Sequence, residues 1–515
     1  MRSAPKHRKP AYQLSWSAEV RILPDISRSF GEYLLLPNLT DENCTPDNID
    51  LSTPLVRHPV GEQSPIRIAT PLVSAIMGAV SSPQLAIALA QVGGIAFIHQ
   101  NQPIDKQAEM VSAVKKHKAG FRHNDVNIKP SATLAEADQL LKSTGRDVAV
   151  VTEDGTSSGA FVGLITAQDF NFHRHSVDDS VETRMRRVNE LVTGSAGMSL
   201  ATANSLLWDS RQDVLPIVGE DGRVTALVQR RDYELHKQFS NETVDGEKQF
   251  RVGAGVNTHD YRERIPALVE AGADLLCLDS SDGYSVWQKN VLEYVRKEYG
   301  DSVRIGAGNV VDGRGFQYLA DAGADFVKVG IGGGSICITR DQKGIGRGQA
   351  SALAEIVAAR DAYTRQTGMY VPLCSDGGII HDSHMAIAFA FGADFLMLGR
   401  YFARVTESPA PQVKIGGQIL KEYWGEGSAR ARNAARYGQG TDLAFEEGVD
   451  GYVPHAGSLY DNVKVTLAKL RSTMISCGST TLKQFHDTAE LVQVSQQTFV
   501  QNSEDVQRNE QPTVV

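Results

Sequence analysis

The chain has 515 residues, 41% hydrophobic and 22% charged, enough material for more than one domain and for a substantial core. A formal charge of -9 gives no bulk electrostatic support to a nucleic-acid partner, and no apolar run approaches membrane-spanning length, so neither nucleic acid nor membrane is an expected partner. The five cysteines (Cys44, Cys277, Cys337, Cys374, Cys477) show neither CxxC nor close Cys/His spacing, which argues against a disulfide framework or a zinc site and for a reducing, cytoplasmic setting.

The N-terminal MRSAPKHRKP is basic but has no apolar run behind it, so it does not read as a signal peptide. Two β-rich runs follow, IATPLVSA from Ile68 and IAFIH from Ile95. Six more come later: RVGAG from Arg251, LLCLD from Leu275, RIGAG from Arg304, FVKVG from Phe326, VPLCSDG from Val371 and FLMLG from Phe395. Segments with helical spacing, such as RERIPALVEA, GRGFQYLADA and SHMAIAFAF, lie between them. Three of these helices end in AGAD at Ala271, AGAD at Ala322 and FGAD at Phe391, where glycine lets the chain leave the helix in the left-handed conformation. The strands are continuous apolar runs, as strands buried on both faces are. Eight such units predict an α/β fold of the (β/α)8 TIM-barrel kind. A doubly wound open sheet is the alternative, because counting strands does not prove closure.

The predicted organisation is an N-terminal segment with the first part of the barrel (1–123), an insert (124–242), the remainder of the barrel (243–498) and a polar tail (499–515). The insert carries its own repeat: TLAEADQLLKSTGRDVAVVTEDG with GLITAQDF resembles SLATANSLLWDSRQDVLPIVGEDG with ALVQRRDY. Setting Asp154-Gly155 against Asp221-Gly222 gives an offset of 67, and each copy reads as helix, strand, turn, strand, helix. The pair resembles two cystathionine β-synthase (CBS) motifs, modules that often bind a purine nucleotide, although a structural insert without ligand fits the same pattern.

In a barrel the chemistry gathers at strand C-termini. Here those ends carry DSSDG from Asp279, GIGGGSICITR from Gly330, SDGG from Ser375 and the pair Gly399-Arg400. Gly377, Gly378 and Gly399 can bring backbone N–H groups to a phosphate, Arg400 adds a bidentate cation, and Asp376 suits ribose hydroxyls, so a nucleoside monophosphate is the expected ligand. Cys337 sits in a glycine loop whose N–H groups favour the thiolate, and is the candidate nucleophile. Cys277 and Cys374 lie inside strands and read as inert core thiols, while Cys44 and Cys477 lie in polar surroundings with no assigned role. The glycine patterns GIGGG and GIGRG are not a GxGxxG opening a helix, and no Walker A, HExxH or GxSxG occurs.

LDSSDG, GGGSICITR, SDGGI and KEYWGEGS, in this order along the chain, together resemble the IMP dehydrogenase / GMP reductase family, from PLVSAIM near Pro71 to FEEGVDGYVPHAG from Phe445. The resemblance implies NAD-dependent oxidation of IMP to XMP. The Cys337 thiolate would attack the purine C2, hydride would pass to NAD, and water would cleave the resulting thioimidate. It further implies that Thr339 helps to hold that water and that a flap, residues 421–440, brings Arg436 as base beside Tyr437. An arginine base needs help, since guanidinium titrates above about 12. By similarity Ser335, Gly378, Gly399, Arg400 and Tyr423 would contact phosphate, with Gly377 beside them and Asp376 on the ribose. Met77, Gly425, Glu426, Gly427 and Glu447 would lie near the base, and Asp279, Ser280, Gly330, Ile331 and Gly332 would face NAD. Carbonyls of Gly332, Gly334 and Cys337 would hold a potassium ion, and a homotetramer is implied. Arg400 replaces a small residue of many members, and Glu447 replaces glutamine. GMP reductase is the nearest alternative, usually without the insert and the Arg-Tyr flap, and a catalytically retired CBS nucleotide sensor is another.

Overall fold

The computed structural model describes residues 22–117, 121–124, 126–144, 146–230, 241–431, 445–495 and 498. All eight expected strands form: β1 (Leu72–Ser74), β2 (Phe97–Ile98), β3 (Gly253–Val256), β4 (Leu275–Leu278), β5 (Ile305–Val310), β6 (Val327–Val329), β7 (Leu373–Asp376) and β8 (Phe395–Leu398). Each pairs in parallel with its sequence neighbours, apart from the first and second. Those two are joined by a parallel bridge between Val73 and Ile95, which closes the ring and removes the open-sheet alternative. Helices α1 (Pro83–Gln91), α2 (Ile104–Lys115), α3 (Tyr261–Glu270), α4 (Val286–Tyr299), α5 (Gly313–Asp321), α6 (Gln349–Thr367), α7 (Asp382–Ala390) and α8 (Leu459–Ser476) surround it.

Alternate strand residues face the helices or the barrel axis, so both faces are buried and the runs read as uniformly apolar. The axis is filled by Val73, Phe97, Leu275, Cys277, Phe326, Cys374, Phe395 and Met397. An antiparallel ribbon of Thr53–Pro54 with Arg67–Ile68 adds Leu55, Val56, Ile66 and Ile68 to the same cluster. The glycine in RIGAG makes room for this packing: a Cβ on Gly306 would lie 2.1 Å from the Phe326 ring.

The glycines of the three recurring phrases adopt the left-handed conformation, with φ of 89° at Gly272, 98° at Gly323 and 100° at Gly392. The aspartates beside them do something the sequence did not suggest. Asp274, Asp325 and Asp394 each accept the backbone N–H of the neighbouring strand, from Val252 at 3.0 Å, Ile305 at 2.6 Å and Leu373 at 2.8 Å. In return their own N–H groups bond to the carbonyls of Val252, Ile305 and Leu373. Each carboxylate also meets arginine: Arg251 at Asp274, Arg57, Arg296 and Arg304 at Asp325, and Arg360 at Asp394. One clamp thus repeats three times at the end of the barrel opposite the polar loops.

Within the insert, one four-stranded sheet contains Asn127–Ile128, Val148–Thr152, Phe161–Thr166 and Arg186–Arg187, with helix Leu134–Thr144. The other contains Gly194–Ser195, Val214–Val218, Val224–Gln229 and Arg122–His123, with helix Leu200–Ser210. Asn127 pairs in parallel with Val150 and Gly194 with Ile217, so the offset of 67 in the sequence is also a register in the fold. The expected closing helix at Gln168-Asp169-Phe170 does not form. Asp169 instead accepts hydrogen bonds from the Thr166 N–H and hydroxyl, holding a turn, and turns continue beyond it. Its counterpart from Arg231 lies outside the described residues. Cys44 and Cys477, read from sequence as lying in polar surroundings, are buried, Cys477 within the core between sheet and helices.

Candidate active site

The loops after β1, β4, β6, β7 and β8, with the turn after strand Gln418–Trp424, surround a cavity of about 500 Å³. That is ample for a mononucleotide. The Cys337 loop is fastened across it: Cys337 and Gly448 form an antiparallel bridge, the Ile338 N–H donates to Glu447 O at 3.0 Å, and the Val449 N–H donates to Ile336 O at 3.0 Å. Two segments more than a hundred residues apart therefore hold the half-buried thiol at the cavity wall. Its Sγ lies 3.2 Å from the Thr339 hydroxyl, which donates to Glu447 Oε2 at 3.1 Å, with Lys343 Nζ 3.6 Å beyond. Thr339 is thus hydrogen-bonded to the thiol on one side and to a carboxylate able to take a proton on the other.

At one end of the cavity Gly377 and Gly378 have φ of 86° and 76°, and the Gly378 N–H donates to Gly333 O at 2.9 Å, locking the β7 loop to the cysteine loop. Gly399 lies under Tyr423, since a Cβ there would sit 2.7 Å from the phenol oxygen. Burial pushes the Tyr423 phenol up to about 12, and its hydroxyl bonds Ser335. Tyr423 is therefore neutral over the whole useful range and a donor toward an anion.

Deeper in, Lys328 of β6 projects into the barrel, 1% exposed, with Nζ 2.9 Å from Asp279 and 3.3 Å from Asp376. Asn309 donates to Asp376 at 2.9 Å and to Gly330 O at 2.7 Å, and Gln100 donates to Asp279 at 3.1 Å. Burial alone would lower the lysine pKa, but the two carboxylates outweigh it and hold the ammonium well above the ordinary lysine range. Glu426 accepts the Gly78 N–H at 2.7 Å, near His99 at the end of β2, whose pKa is lowered to about 4 by burial and by the Arg264 charge.

Every expected site residue within the described segments lines this one cavity: Cys337 and Thr339, Met77, Ser335, Asp376 to Gly378, Gly399, Arg400, Tyr423, Gly425 to Gly427, Glu447, Asp279, Ser280, Gly330 to Gly332, and Gly334. Arg436 and Tyr437 lie outside the described residues. Of the expected flap, Lys421 to Trp424 finish a strand, with Lys421 Nζ buried and donating to Ser408 O at 2.9 Å, and residues 432–440 lie outside the described residues. Cys277 and Cys374 are fully buried in the barrel, in keeping with the reading as core thiols: burial pushes the Cys277 thiol up to about 12 and likewise raises Cys374 well above the ordinary thiol range. The sequence reading missed Lys328, Asn309 and Gln100, and also Gln349, which lines the cavity and donates to Val329 O at 2.7 Å and the Ser375 hydroxyl at 3.1 Å. Only Lys328 left a signal, a charge inside the apolar run FVKVG, where an unpaired lysine would be costly. Among the described residues no cluster of His, Cys, Asp or Glu could hold a metal, and no helix is long and apolar enough to cross a membrane.

A (β/α)8 barrel with a glycine-loop cysteine facing a mononucleotide-sized cavity at its strand ends has the layout of a barrel enzyme, and a family model for the IMP dehydrogenase / GMP reductase domain matches residues 27–504. The chain belongs to this family of enzymes. It is 52% identical over 475 residues to the inosine-5'-monophosphate dehydrogenase of Tritrichomonas foetus, covering 92% of this chain and 94% of that one. It is 35% identical to the enzyme of the same name from Aquifex aeolicus, over 91% of this chain and 93% of that one. Among solved structures it resembles a GMP reductase from Trypanosoma brucei in complex with guanosine 5'-monophosphate, with a TM-score of 0.78 and 26% identity over 94% of this chain and 98% of the reductase. That reductase aligns over nearly all of both chains, so overall length and the insert do not by themselves separate the two activities, contrary to the expectation from sequence.

Proposed function

We propose that this enzyme oxidises IMP to XMP with NAD as hydride acceptor, through a covalent bond between Cys337 and the purine C2. The observation that carries the reading is the alignment of Cys337 Sγ, Thr339 Oγ1 and Glu447 Oε2 on the wall of the cavity that also holds Asp376, Gly378 and Gly399. The Cys337 thiolate adds to C2, which then carries a transferable hydride, and NAD supplies the acceptor when bound. Loss of hydride leaves a thioimidate. Thr339 orients the water that adds to C2, the proton passes toward Glu447 or toward Arg436, and the C–S bond breaks to give XMP and the free thiol. Asp376 takes the mononucleotide ribose, the glycine loops with Arg400 and Tyr423 take the phosphate, and Asp279 with Ser280 faces the dinucleotide.

A potassium ion fits the cysteine loop in one respect. Gly332 is in the left-handed conformation, and the Gly334 carbonyl accepts the Cys337 N–H at 3.2 Å in a tight turn; the carbonyls of Gly332, Gly334 and Cys337 are the ligands the family resemblance assigns. The ion would hold the loop in this shape. The insert is read as a CBS pair open to a purine nucleotide, and the assembly as a cytoplasmic homotetramer.

Purified protein given IMP, NAD and potassium is expected to produce NADH and XMP. Cys337→Ala is expected to abolish turnover while IMP still binds by calorimetry. The reductase likeness supports a second reading, and NADPH-dependent conversion of GMP to IMP in the same assay would establish it. Nucleotide binding with no turnover of either kind would leave a sensor.

A further inference from the structure

One ammonium, that of Lys328, bonds both Asp279 and Asp376, at 2.9 and 3.3 Å, although they stand on different strands and face different parts of the cavity. Lysine inside a barrel is costly, and a purely structural plug would be better served by an apolar side chain like its neighbours Phe326 and Met397. The neighbouring donors are divided. Gln100 serves Asp279 only, and Asn309 serves Asp376 only. Lys328 alone among them bonds both. Both described side-chain bonds to Asp376 fall on Oδ2, so Oδ1 has no protein donor among the described residues.

We propose that Lys328 is a positioning residue that couples the two ribose sites, so that filling one strengthens binding at the other. The proposal rests on the reading of Asp376 as acceptor for the mononucleotide ribose and Asp279 as acceptor for the dinucleotide ribose. Ribose hydroxyls donating to Asp376 spread its charge and weaken its hold on the shared ammonium. Lys328 then settles on Asp279 and fixes that carboxylate for the second sugar. The same shift runs in reverse when the dinucleotide arrives first, and linkage makes the two effects equal.

The test uses Cys337→Ala to prevent chemistry, with IMP and NAD titrated calorimetrically, each alone and in the presence of the other. In Cys337→Ala saturating NAD is expected to tighten IMP by about fivefold or more. Adding Lys328→Met is expected to bring that factor to about one, and Lys328→Arg, which keeps the charge, to restore much of it. A factor unchanged by Lys328→Met overturns the proposal and leaves the reading of the site intact, whereas failure of Cys337→Ala to bind IMP overturns both. Should Lys328→Met not fold, Lys328→Gln, which also removes the charge, takes its place: a coupling factor near one with both ligands still bound supports the proposal, and coupling retained overturns it.

Discussion

The residues that carry the site are cheap to position one at a time and expensive to position together. Gly330 shows how: a Cβ there would lie 2.2 Å from Asp376 O, so only glycine lets β6 and β7 come close enough to set Lys328 beside Asp376. His99 shows a different cost. Largely buried beside Arg264, it stays neutral down to about pH 4, while in the unfolded chain it takes a proton near 6.5. Between these values the unfolded state binds more protons, so stability falls as pH drops through that window. His99→Gln should remove this contribution, worth up to about 3 kcal/mol at pH 4. Denaturant midpoints measured between pH 4 and 7 check it. A pH dependence no flatter in the variant would mean that His99 is readily protonated in the folded protein.

At the scale of elements, the repeated helix-to-strand phrase does two jobs. Its glycine ends the helix, and its aspartate ties the next strand to the one before it. Asp325 is the most heavily engaged of the three: its side chain is fully buried, it accepts the Ile305 N–H, and it meets Arg57, Arg296 and Arg304. Removing one partner of a buried ionic group leaves the others uncompensated. Asp325→Asn should therefore cost about 3 kcal/mol or more in a denaturant titration, with catalysis in the surviving folded fraction little changed, because the clamp lies at the far end of the barrel. A midpoint close to that of the parent protein would reduce the clamp to a surface-like ion pair.

At the scale of the whole molecule, the insert and the barrel have separate cores. The clusters holding the insert draw only on residues between 121 and 228, and the barrel clusters include none of these. The points of departure and return are also adjacent, since the Phe250 N–H donates to His117 O and the Thr243 N–H to Ala90 O. Replacing residues 118–242 by a short glycine-serine linker is accordingly expected to leave a folded barrel with IMP-dependent NADH production within about threefold of the parent, because no barrel core contact is removed. Unfolding of the shortened chain would show that the insert supports the barrel after all.

The sequence alone determined the barrel and the neighbourhood of the site. Strands buried on both faces write themselves as apolar runs, and the loops after β1, β4, β6, β7 and β8, which line most of the cavity, follow such runs directly. Local signals also located the glycine helix ends, the internal repeat and Cys337 in its loop. What only the tertiary structure decided depends on partners distant along the chain. Lys328 meets residues 49 and 48 positions away, and Thr339 meets Glu447 across 108 positions. The burial of Cys44 and Cys477 depends on packing that their polar neighbours in sequence do not reveal, and the turn at Asp169 forms because one carboxylate captures the N–H and hydroxyl of Thr166 where the pattern read helix. Periodicity records which face of an element is dry, whereas the choice of polar partner is made only when the ring of strands closes.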